Sequence, residues 1–483
     1  MARFGPVKIL CVASELAPFA KTGGLADVMA ALPRRLHRAG HDVRVFLPLY
    51  DRVDTGAAQV ETVLEGIEIR LGAHRYEVKI VRVAGEPPVH FVHCPALYAR
   101  GSLYTNDPDE HRRFLALCYA ALAACQRMGF APDVVHCHDW QTALLPLILK
   151  TQFAWDRLFE RARTLLTIHN LNYQGMFPAA VMPDTNIEGS AHLFHQDQLR
   201  EGRINFLLHG ILYADGISTV SPTYAREIQT PESGAGLDPF LRARSTSVVG
   251  ILNGVDYEEW SPEHDRHLPH RYDAADLTGK ERNKEALLGS LGLPYVPDVP
   301  VIGVVSRLAG QKGFDLLANV MPAVLRKRTC QLVVLGNGES RLEQMFTGFQ
   351  AAFPRQVCFF RGFSNPLAHR IEAGADMFLM PSRYEPCGLN QMYSLRYGTV
   401  PIVHRVGGLA DTVKQWNPRS GEGTGFSFER HDAAGLRWAV ESAITADRDR
   451  PAWQRLMQNG MSQDFSWDAQ VKDYETVYQR LGG

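Results

Sequence analysis

A lysine and two glycines follow the first apolar segment of this 483-residue chain. Residues 7–14 have the composition of a buried strand, and Lys21, Gly23, Gly24 and Asp27 then open an amphipathic helix. Glycines let backbone N–H groups approach a ligand, and a helix N-terminus carries positive partial charge. The lysine adds a mobile positive charge. The spacing therefore predicts a pocket for phosphate or another anion, with an ordinary solvated loop lysine as the alternative.

The sequence Gly-Gly-Leu-Ala-Asp of this loop occurs a second time, at 407–411, where the lysine is missing. The repeat predicts two helices that each open on a glycine pair, one in each half of the chain. Chance and ancient duplication explain such a repeat equally well.

An arginine and a lysine five residues apart follow another apolar segment, 300–305. Arg307 and Lys312 frame a turn that contains Gly310. Arginine binds phosphate through two parallel hydrogen bonds, whereas lysine acts as a point charge. Two cations at one strand end predict a diphosphate site that neutralises a leaving group without a metal ion. A basic surface turn is the alternative.

A glutamate follows the apolar segment 376–380 and precedes a helical pattern. The carboxylate of Glu385 is suited to bind sugar hydroxyls, to act as a base or to cap that helix. The backbone N–H groups of Gly388 and Leu389 are placed to bind phosphate. Cys387, beside the same helix N-terminus, is expected to be mildly acidic, although no thiol chemistry requires it.

Two strand ends in the first half carry further polar groups. Asp139 follows the tripeptide His-Cys-His at 136–138, whose adjacent residues point to opposite faces of a strand and therefore argue against a metal site. Asp139 is suited to cap the following helix or to reach a ligand, and the two roles are compatible. His169 and Asn170 end another apolar segment, where the histidine is either a core residue or a polar group of a cleft.

Short apolar runs alternate with helical patterns along most of the chain, which is typical of α/β proteins with parallel sheets. The strand candidates are 7–14, 42–47, 89–93, 133–137, 164–169, 216–220, 247–252, 300–305, 331–335, 357–360, 376–380 and 400–404. Ligands of such sheets bind at the carboxyl ends of strands, where each polar group above lies. Because one core stops growing at roughly 250–300 residues, two domains are expected, with a boundary near 250–258.

Composition narrows the possible functions. The net charge of −1 provides no basic excess, so neither nucleic acid nor a membrane is expected as a partner. None of the eight cysteines forms a C-x-x-C pair, which favours reduced thiols in a cytoplasmic protein. A core strand begins at once and no run approaches 18 apolar residues, so neither a targeting segment nor a membrane span is expected.

Together these motifs resemble those of bacterial glycogen synthases and plant starch synthases. The matching segments are Lys-Thr-Gly-Gly-Leu, His-Cys-His-Asp-Trp, Thr-Ile-His-Asn, Ser-Arg-Leu-x-x-Gln-Lys-Gly and Glu-Pro-Cys-Gly-Leu, in the family's order over nearly the whole chain. The resemblance implies a GT-B fold, an α/β architecture with two Rossmann-like, doubly wound parallel-sheet domains that face a central cleft. It implies an acceptor-side domain at 1–252, a nucleotide-sugar domain at 258–462 and a helix at 466–483 that crosses back to the first domain.

The resemblance also implies which residues act. The implied catalytic residues are Glu385, His169, Asp139, Arg307 and Lys312. The implied substrate-binding residues are Lys21, Gly23, Gly24, Asp27, Asn170, Asn253, Phe363, Cys387, Gly388 and Leu389. Phe363 stands where relatives often carry a tyrosine that stacks on adenine, so the ring face is kept and the hydroxyl is lost. Tyr393 stands where many other GT-B enzymes carry a second glutamate.

The implied reaction is the retaining transfer of glucose from ADP-glucose to the non-reducing end of an α-1,4-glucan such as glycogen, with no cofactor and no metal ion. Closure of the two domains about 250–258 is expected to exclude water. A UDP-glucose-dependent transferase is the nearest alternative, and a non-catalytic nucleotide-sugar sensor is another. A dehydrogenase is disfavoured, because Gly336 and Gly338 occur late in the chain without the rest of the dinucleotide-binding pattern.

Overall fold

The computed structural model describes residues 5–54, 60–327 and 329–482. The predicted ranges 1–252, 258–462 and 466–483 therefore include residues outside the described ones, at 1–4, 55–59, 328 and 483. The chain divides into two compact units. The first consists of the described residues up to Val220, Ala225–Leu252 and the segment from Trp467, and the second consists of Ser221–Tyr224 and Asn253–Ser466.

The elements up to residue 252 are mostly strands followed by helices. In chain order they are β1 (Lys8–Val12), α1 (Gly24–Arg38), β2 (Asp42–Pro48), β3 (Val60–Leu71), β4 (His74–Val83), β5 (Val89–His93), α2 (Pro95–Tyr98), α3 (Glu110–Met128), β6 (Val134–His138), α4 (Asp139–Thr142), α5 (Leu145–Thr151), β7 (Arg163–Ile168), β8 (Met176–Pro178), α6 (Gln196–Arg200), β9 (Arg203–Asn205), α7 (Phe206–Tyr213), β10 (Gly216–Thr219), α8 (Pro222–Glu227), α9 (Asp238–Ala243) and β11 (Val248–Gly250). Short 3₁₀ turns occupy Arg157–Phe159, Ala179–Thr185, Glu188–Leu193 and Ser245–Ser247.

The remaining elements repeat this alternation. They are α10 (Thr278–Ser290), β12 (Val301–Leu308), α11 (Leu317–Arg326), β13 (Gln331–Gly338), α12 (Ser340–Ala352), β14 (Val357–Arg361), α13 (Asn365–Gly374), β15 (Met377–Met380), α14 (Asn390–Arg396), β16 (Val400–His404), α15 (Gly407–Thr412), β17 (Phe426–Phe428), α16 (Ala433–Asp447), α17 (Arg450–Met461) and α18 (Trp467–Gly482). The 3₁₀ turns Gly310–Lys312 and Phe314–Leu316 follow β12. No helix in the described ranges is both long and apolar enough to cross a membrane.

A central sheet of the first unit has, among the described residues, nine strands in the order β11-β10-β7-β6-β1-β2-β5-β4-β3. The strands from β11 to β5 are parallel, as their apolar sequences predict. The antiparallel hairpin β3–β4 is absent from the sequence-based prediction, which rested on continuous apolar runs, whereas the buried residues Ile67, Ile69 and Leu71 alternate with exposed charges as in a half-buried strand. The chain order reverses between β1 and β6, which makes the carboxyl ends of these strands the expected ligand-binding edge.

The sheet of the second unit has six parallel strands in the described residues, in the order β14-β13-β12-β15-β16-β17. Its strands are lined by fully buried apolar residues, among them Val304, Leu332, Leu379 and Ile402. The order reverses between β12 and β15, which carry the predicted cation pair and the predicted glutamate at their carboxyl ends. Each predicted strand has an observed counterpart, with ends shifted by a few residues. The short strands β8, β9 and β17 are further elements that the sequence did not predict.

Helix α18 packs on the first unit. Tyr474 and Tyr478 are buried, and the Tyr478 hydroxyl lies 2.9 Å from Nδ1 of His136 in β6. Glu475 contacts His41 Nε2 at 3.1 Å, and Arg35 of α1 contacts Asp468 at 3.3 Å. A segment that follows the second unit in sequence therefore completes the core of the first.

Candidate functional site

The loop that opens α1 folds back on a glutamate that the sequence analysis did not single out. Glu15 is buried, and its carboxylate accepts hydrogen bonds from the amides of Thr22 at 2.6 Å and Gly23 at 3.2 Å. The Thr22 hydroxyl and the Tyr104 hydroxyl also donate to it, at 2.6 Å and 2.7 Å. Two amides of the predicted anion pocket therefore already bind a carboxylate of the chain itself.

Lys21 and the two glycines border open space. Lys21 Nζ lies 2.6 Å from Asp27 Oδ1, and the lysine side chain is 50% exposed. An exposed ion pair of this kind contributes at most about 1 kcal/mol, so the ammonium exchanges readily for another anion. A Cβ atom at Gly23 or Gly24 would contact nothing. The role of these four residues in donor binding stays a prediction.

Asp139 adopts an unusual backbone conformation at the carboxyl end of β6. Its φ of 56° lies in the left-handed region, which residues other than glycine, asparagine and aspartate rarely adopt. Its Oδ1 accepts from the backbone amides of His169 at 2.7 Å and Asn170 at 3.3 Å, so it ties the end of β6 to the end of β7. It makes no capping bond to α4, and the capping alternative is therefore wrong.

The surroundings of Asp139 disfavour the ionised form of its carboxyl group. Burial raises the pKa of its carboxyl group from the usual 3.8 to about 7, even though the amides of His169 and Asn170 lower it. The Glu15 carboxylate adds to the rise. A half-buried carboxyl group whose pKa is raised toward neutral pH at a strand end is a candidate for chemistry rather than for stability.

The rings of His136, His138 and His169 form a row behind this strand end. The ring centroids of His136 and His138 are 4.1 Å apart, and His138 Nδ1 lies 3.0 Å from His169 Nε2. Burial lowers the pKa of His136 and of His169 to about 3, so both rings are neutral. Within the described ranges, no group of three or more His, Cys, Asp or Glu side chains is arranged to hold a metal ion. His169 thus combines both alternatives, since it is buried and yet ends a strand at the ligand-binding edge.

The two predicted cations of the second unit differ in their surroundings. Arg307 is exposed near the end of β12 and has no ion-pair partner in the part of the chain that the structure describes. Lys312, in the turn that follows, is largely shielded and lies 2.6 Å from Glu385 Oε2. A free guanidinium and a paired ammonium therefore follow the same strand.

Glu385 is buried in the loop between β15 and α14. Its Oε2 accepts from Lys312 Nζ at 2.6 Å and from the Ser382 hydroxyl at 2.9 Å. It makes no capping bond to α14, whose first flanking residue is Leu389, so the capping alternative is wrong for this residue too. A carboxylate that is held in place at this strand end by two hydrogen bonds is suited to bind sugar hydroxyls.

The second Gly-Gly pair supports the Glu385 loop from behind. A Cβ atom at Gly407 would overlap the carbonyl oxygen of Glu385, and one at Gly408 would overlap that of Cys387. The amide of Gly408 donates to the Glu385 carbonyl at 3.1 Å, and the Ser221 hydroxyl donates to the Pro386 carbonyl at 2.6 Å. The repeat therefore opens two helices as predicted, but the first pair faces open space and the second is a packing surface.

Replacing Gly408 with alanine is therefore expected to lower the melting temperature, by an amount that corresponds to about 2 kcal/mol of overpacking. The same change at Gly24, the matching position of the first pair, meets no atom within 4 Å and is expected to leave the melting temperature unchanged. Differential scanning calorimetry of both variants compares the two pairs. Equal melting temperatures for the two variants would show that the close approach of Gly408 to the Cys387 carbonyl does not affect stability.

The other predicted residues of the second unit surround the Glu385 loop. Burial raises the pKa of the Cys387 thiol to about 12, which overturns the expectation of a mildly acidic thiol. The backbone of Asn253 bonds this thiol, and Asn253 Oδ1 is buried with no hydrogen-bond partner among the described residues. The amides of Gly388 and Leu389 donate no hydrogen bond within the described part of the chain, so they remain available to a phosphate.

Phe363 follows β14, two strands away from β12 in the same sheet. Its side chain is among the most exposed large apolar groups described, at 77%. An exposed ring after a strand end is suited to stack on a flat ligand such as adenine. That role stays a prediction.

Glu15 and Ser382 are the polar groups of the two strand-end sites that sequence reasoning missed. Glu15 follows the first strand by three residues, in Ser-Glu-Leu, and Ser382 precedes Glu385 by three. A single carboxylate between a strand and a glycine pair was the available signal for Glu15. Nothing in the spacing of Ser382 indicates that its hydroxyl turns toward Glu385.

Fold and strand-end chemistry together define a glycosyltransferase with two Rossmann-like units. The model of the starch synthase catalytic domain matches residues 8–243, and that of group 1 glycosyl transferases matches residues 294–460. The catalytic domain of starch synthase IV from Arabidopsis thaliana, bound to ADP and acarbose, superimposes with a TM-score of 0.92 at 35% identity over 99% of this chain and 100% of that one. Sucrose-phosphate synthase from Thermosynechococcus elongatus shares the fold, with a TM-score of 0.61 at 18% identity over 98% of this chain and 99% of that one.

The full-length sequence comparison narrows the class. Glycogen synthase of Geotalea uraniireducens is 45% identical over 485 residues, and glycogen synthase 2 of Geobacter metallireducens is 46% identical over 479 residues. Each alignment covers 98% of both chains. The chain belongs to the glycogen synthase family of GT-B glycosyltransferases.

Proposed function

We propose that this enzyme transfers glucose from ADP-glucose to the non-reducing end of a growing α-1,4-glucan, with retention of the anomeric configuration. The observation that carries the proposal is the arrangement at the β12 and β15 strand ends, where Lys312 contacts Glu385 at 2.6 Å and Arg307 stands free on the preceding strand. A solved relative with 35% identity is bound to ADP and acarbose, which supports an adenine donor and an oligosaccharide acceptor.

Breaking the anomeric C–O bond places negative charge on the departing diphosphate. Arg307 is suited to bind it through two parallel hydrogen bonds, and Lys312 supplies a second positive charge beside it. The free amides of Gly388 and Leu389 add two neutral donors. In this proposal the two side chains and two amides neutralise the leaving group without a metal ion.

Positive charge develops on the sugar at the same time. The Glu385 carboxylate accepts a hydrogen bond from Lys312 and is suited to hold the glucosyl hydroxyls. His169 is neutral and therefore acts as a hydrogen-bonding group rather than as a cation. Asp139 supplies a partly ionised carboxyl group near neutral pH.

We favour attack by the acceptor 4-hydroxyl on the face that the diphosphate leaves. The alternative is a covalent glycosyl intermediate, as in retaining glycosidases, which needs a free carboxylate as nucleophile. One oxygen of each candidate carboxylate is engaged here, because Asp139 Oδ1 accepts from two amides and Glu385 Oε2 accepts from Lys312 and Ser382. These hydrogen bonds make each carboxylate a weaker nucleophile. A glycosyl adduct trapped on either residue would overturn the same-face route.

A donor screen tests the function directly. With glycogen as acceptor, ADP-glucose is expected to support a kcat/KM at least about tenfold above that of UDP-glucose, which corresponds to about 1.4 kcal/mol of discrimination. The same assay with EDTA is expected to show an unchanged rate. Preference for UDP-glucose would favour the alternative donor, and no transfer from either donor would favour a nucleotide-sugar sensor.

We place the reaction in the cytosol. All eight cysteines lie in the described residues and are free, and seven of them are buried. Free thiols are the ordinary state in a reducing compartment. The donor and the glucan are the proposed partners.

A further inference from the structure

We propose that His138 is a positioning residue for His169, whose neutral ring it holds in the tautomer with the proton on Nδ1. This inference rests on the proposed function, because the Nδ1–H of His169 would then donate to a sugar hydroxyl oxygen. It goes further by fixing which nitrogen of His169 carries the proton and which residue determines that.

The first step concerns the contact between the two rings. His138 Nδ1 and His169 Nε2 are 3.0 Å apart, both side chains are buried, and the ring centroids are 5.3 Å apart. Burial keeps the pKa of both residues far below the usual 6.5, so each ring is neutral and carries one proton. A hydrogen bond between two neutral imidazoles needs one donor and one acceptor, which leaves two possible arrangements.

The second step concerns the other nitrogen of His138. Its Nε2 is buried and has no hydrogen-bond partner in the described ranges. If His169 donated, His138 would keep its own proton on that Nε2, as a buried N–H without an acceptor. An unpaired buried donor is destabilising, and orphaned N–H groups are rarer than orphaned acceptors.

The favoured arrangement therefore has His138 donating from Nδ1 to Nε2 of His169. The free histidine side chain slightly prefers the Nε2–H tautomer, and this preference opposes the assignment at both rings, since each carries its proton on Nδ1. His169 then carries its proton on Nδ1 and is a fixed hydrogen-bond donor. It cannot act as a general base at that nitrogen.

The third step concerns what holds His138 itself. The His136 ring lies against it at a centroid distance of 4.1 Å and an interplanar angle of 35°. Both nitrogens of His136 are engaged, Nε2 with the Thr167 hydroxyl at 2.6 Å and Nδ1 with the Tyr478 hydroxyl at 2.9 Å. The ring behind His138 is therefore fixed on both sides.

The control is a buried histidine elsewhere in the same sheet. His90 in β5 is buried and stacks on Phe46 at 4.8 Å, and neither of its nitrogens has a hydrogen-bond partner among the described residues. His90→Leu removes an imidazole from the core without touching His169. It measures what the loss of a buried ring costs by itself.

Selective ¹⁵N labelling of histidine tests the tautomer in the full-length wild-type enzyme, with His138→Leu and His169→Gln used to assign the signals. We expect the Nδ1 of His169 to bear the proton and its Nε2 to show the shift of an acceptor. A proton on Nε2 would overturn the proposal, whether or not the enzyme transfers glucose. If the wild-type enzyme showed the expected tautomer but transferred no glucose, the proposed function would be contradicted and the tautomer assignment would stand.

Kinetics provide the second readout. His138→Leu is expected to lower kcat about 10²-fold at nearly constant KM for the donor, the effect of a misplaced catalytic group. His138→Asn keeps an N–H near the Nδ1 position and is expected to recover most of that loss, while His90→Leu should leave kcat unchanged. Equal kcat values for the asparagine and leucine variants would overturn the proposal, and the wild-type spectrum decides alone if the leucine variant does not fold.

Discussion

Replacing Asp139 with asparagine is expected to stabilise this enzyme at pH 8 and to slow it. One pKa unit corresponds to about 1.36 kcal/mol, so a rise from 3.8 to about 7 corresponds to about 4 kcal/mol. Because Asp139 is only partly shielded from solvent, we expect about half of this gain. The asparagine amide oxygen keeps both backbone hydrogen bonds, and asparagine tolerates the φ of 56°.

The pH dependence has a definite sign. Below about pH 4 the carboxyl group is protonated in both states, so it has no effect on stability. As the pH rises from about 4 to 7, the unfolded chain ionises first and the native state is destabilised. The advantage of Asp139→Asn should therefore appear across this window and be complete above pH 7.

Urea denaturation of the wild type and the variant between pH 4 and pH 8 measures this effect. Asp133→Asn is a matched control, because Asp133 precedes the same strand and its exposed carboxylate accepts from the Lys8 amide at 2.8 Å. The control should show no gain. If Asp139→Asn were no more stable than the wild type at pH 8, burial would not be raising the pKa of the Asp139 carboxyl group. The variant should also lose about 10²-fold in kcat, since a charge that stabilises the developing oxocarbenium ion is removed.

Replacing Lys312 with alanine is expected to lower kcat by about 10³-fold or more. The change removes a positive charge from the leaving group and leaves Glu385 buried without its ion-pair partner. Glu385→Ala is expected to cause a loss of similar size. Because the two groups lie 2.6 Å apart, the double variant should lose much less than the product of the single losses.

Steady-state kinetics with ADP-glucose and glycogen measure this coupling. Lys327→Ala is the control, since Lys327 forms an exposed ion pair with Glu441 at 3.2 Å and should leave kcat unchanged. Unchanged turnover in both Lys312→Ala and Glu385→Ala would refute the catalytic assignment. If the loss of kcat in the double variant equalled the product of the two single losses, the pair would not act as a unit.

Local sequence patterns were sufficient for the parallel core. Runs such as those of β1, β12 and β15 are buried on both faces, so their apolar composition predicts them without any tertiary information. The hairpin β3–β4 could not be found in the same way, because one of its faces meets solvent and its apolar residues alternate. The predicted strand ends lie within a few residues of the observed ones, because a turn must follow a strand near the point where the apolar run stops.

The interactions at the strand ends were much less predictable. Lys312 and Glu385 are 73 residues apart, and only the pairing of β12 with β15 brings them together. The two Gly-Gly-Leu-Ala-Asp segments are identical in sequence, yet one borders open space and the other packs against a carbonyl. What surrounds a motif, and not the motif itself, decides between a ligand loop and a packing surface.

Helix α18 has a consequence for biosynthesis. The ribosome releases β6 early, but Tyr478, which bonds His136 of that strand, emerges only after the entire second unit has been made. Until then, the buried polar groups of β6 and the apolar patch under Tyr474 lack their cover. The first unit to be translated is therefore the last to reach its native core, and during synthesis it is the part of the chain most in need of a chaperone.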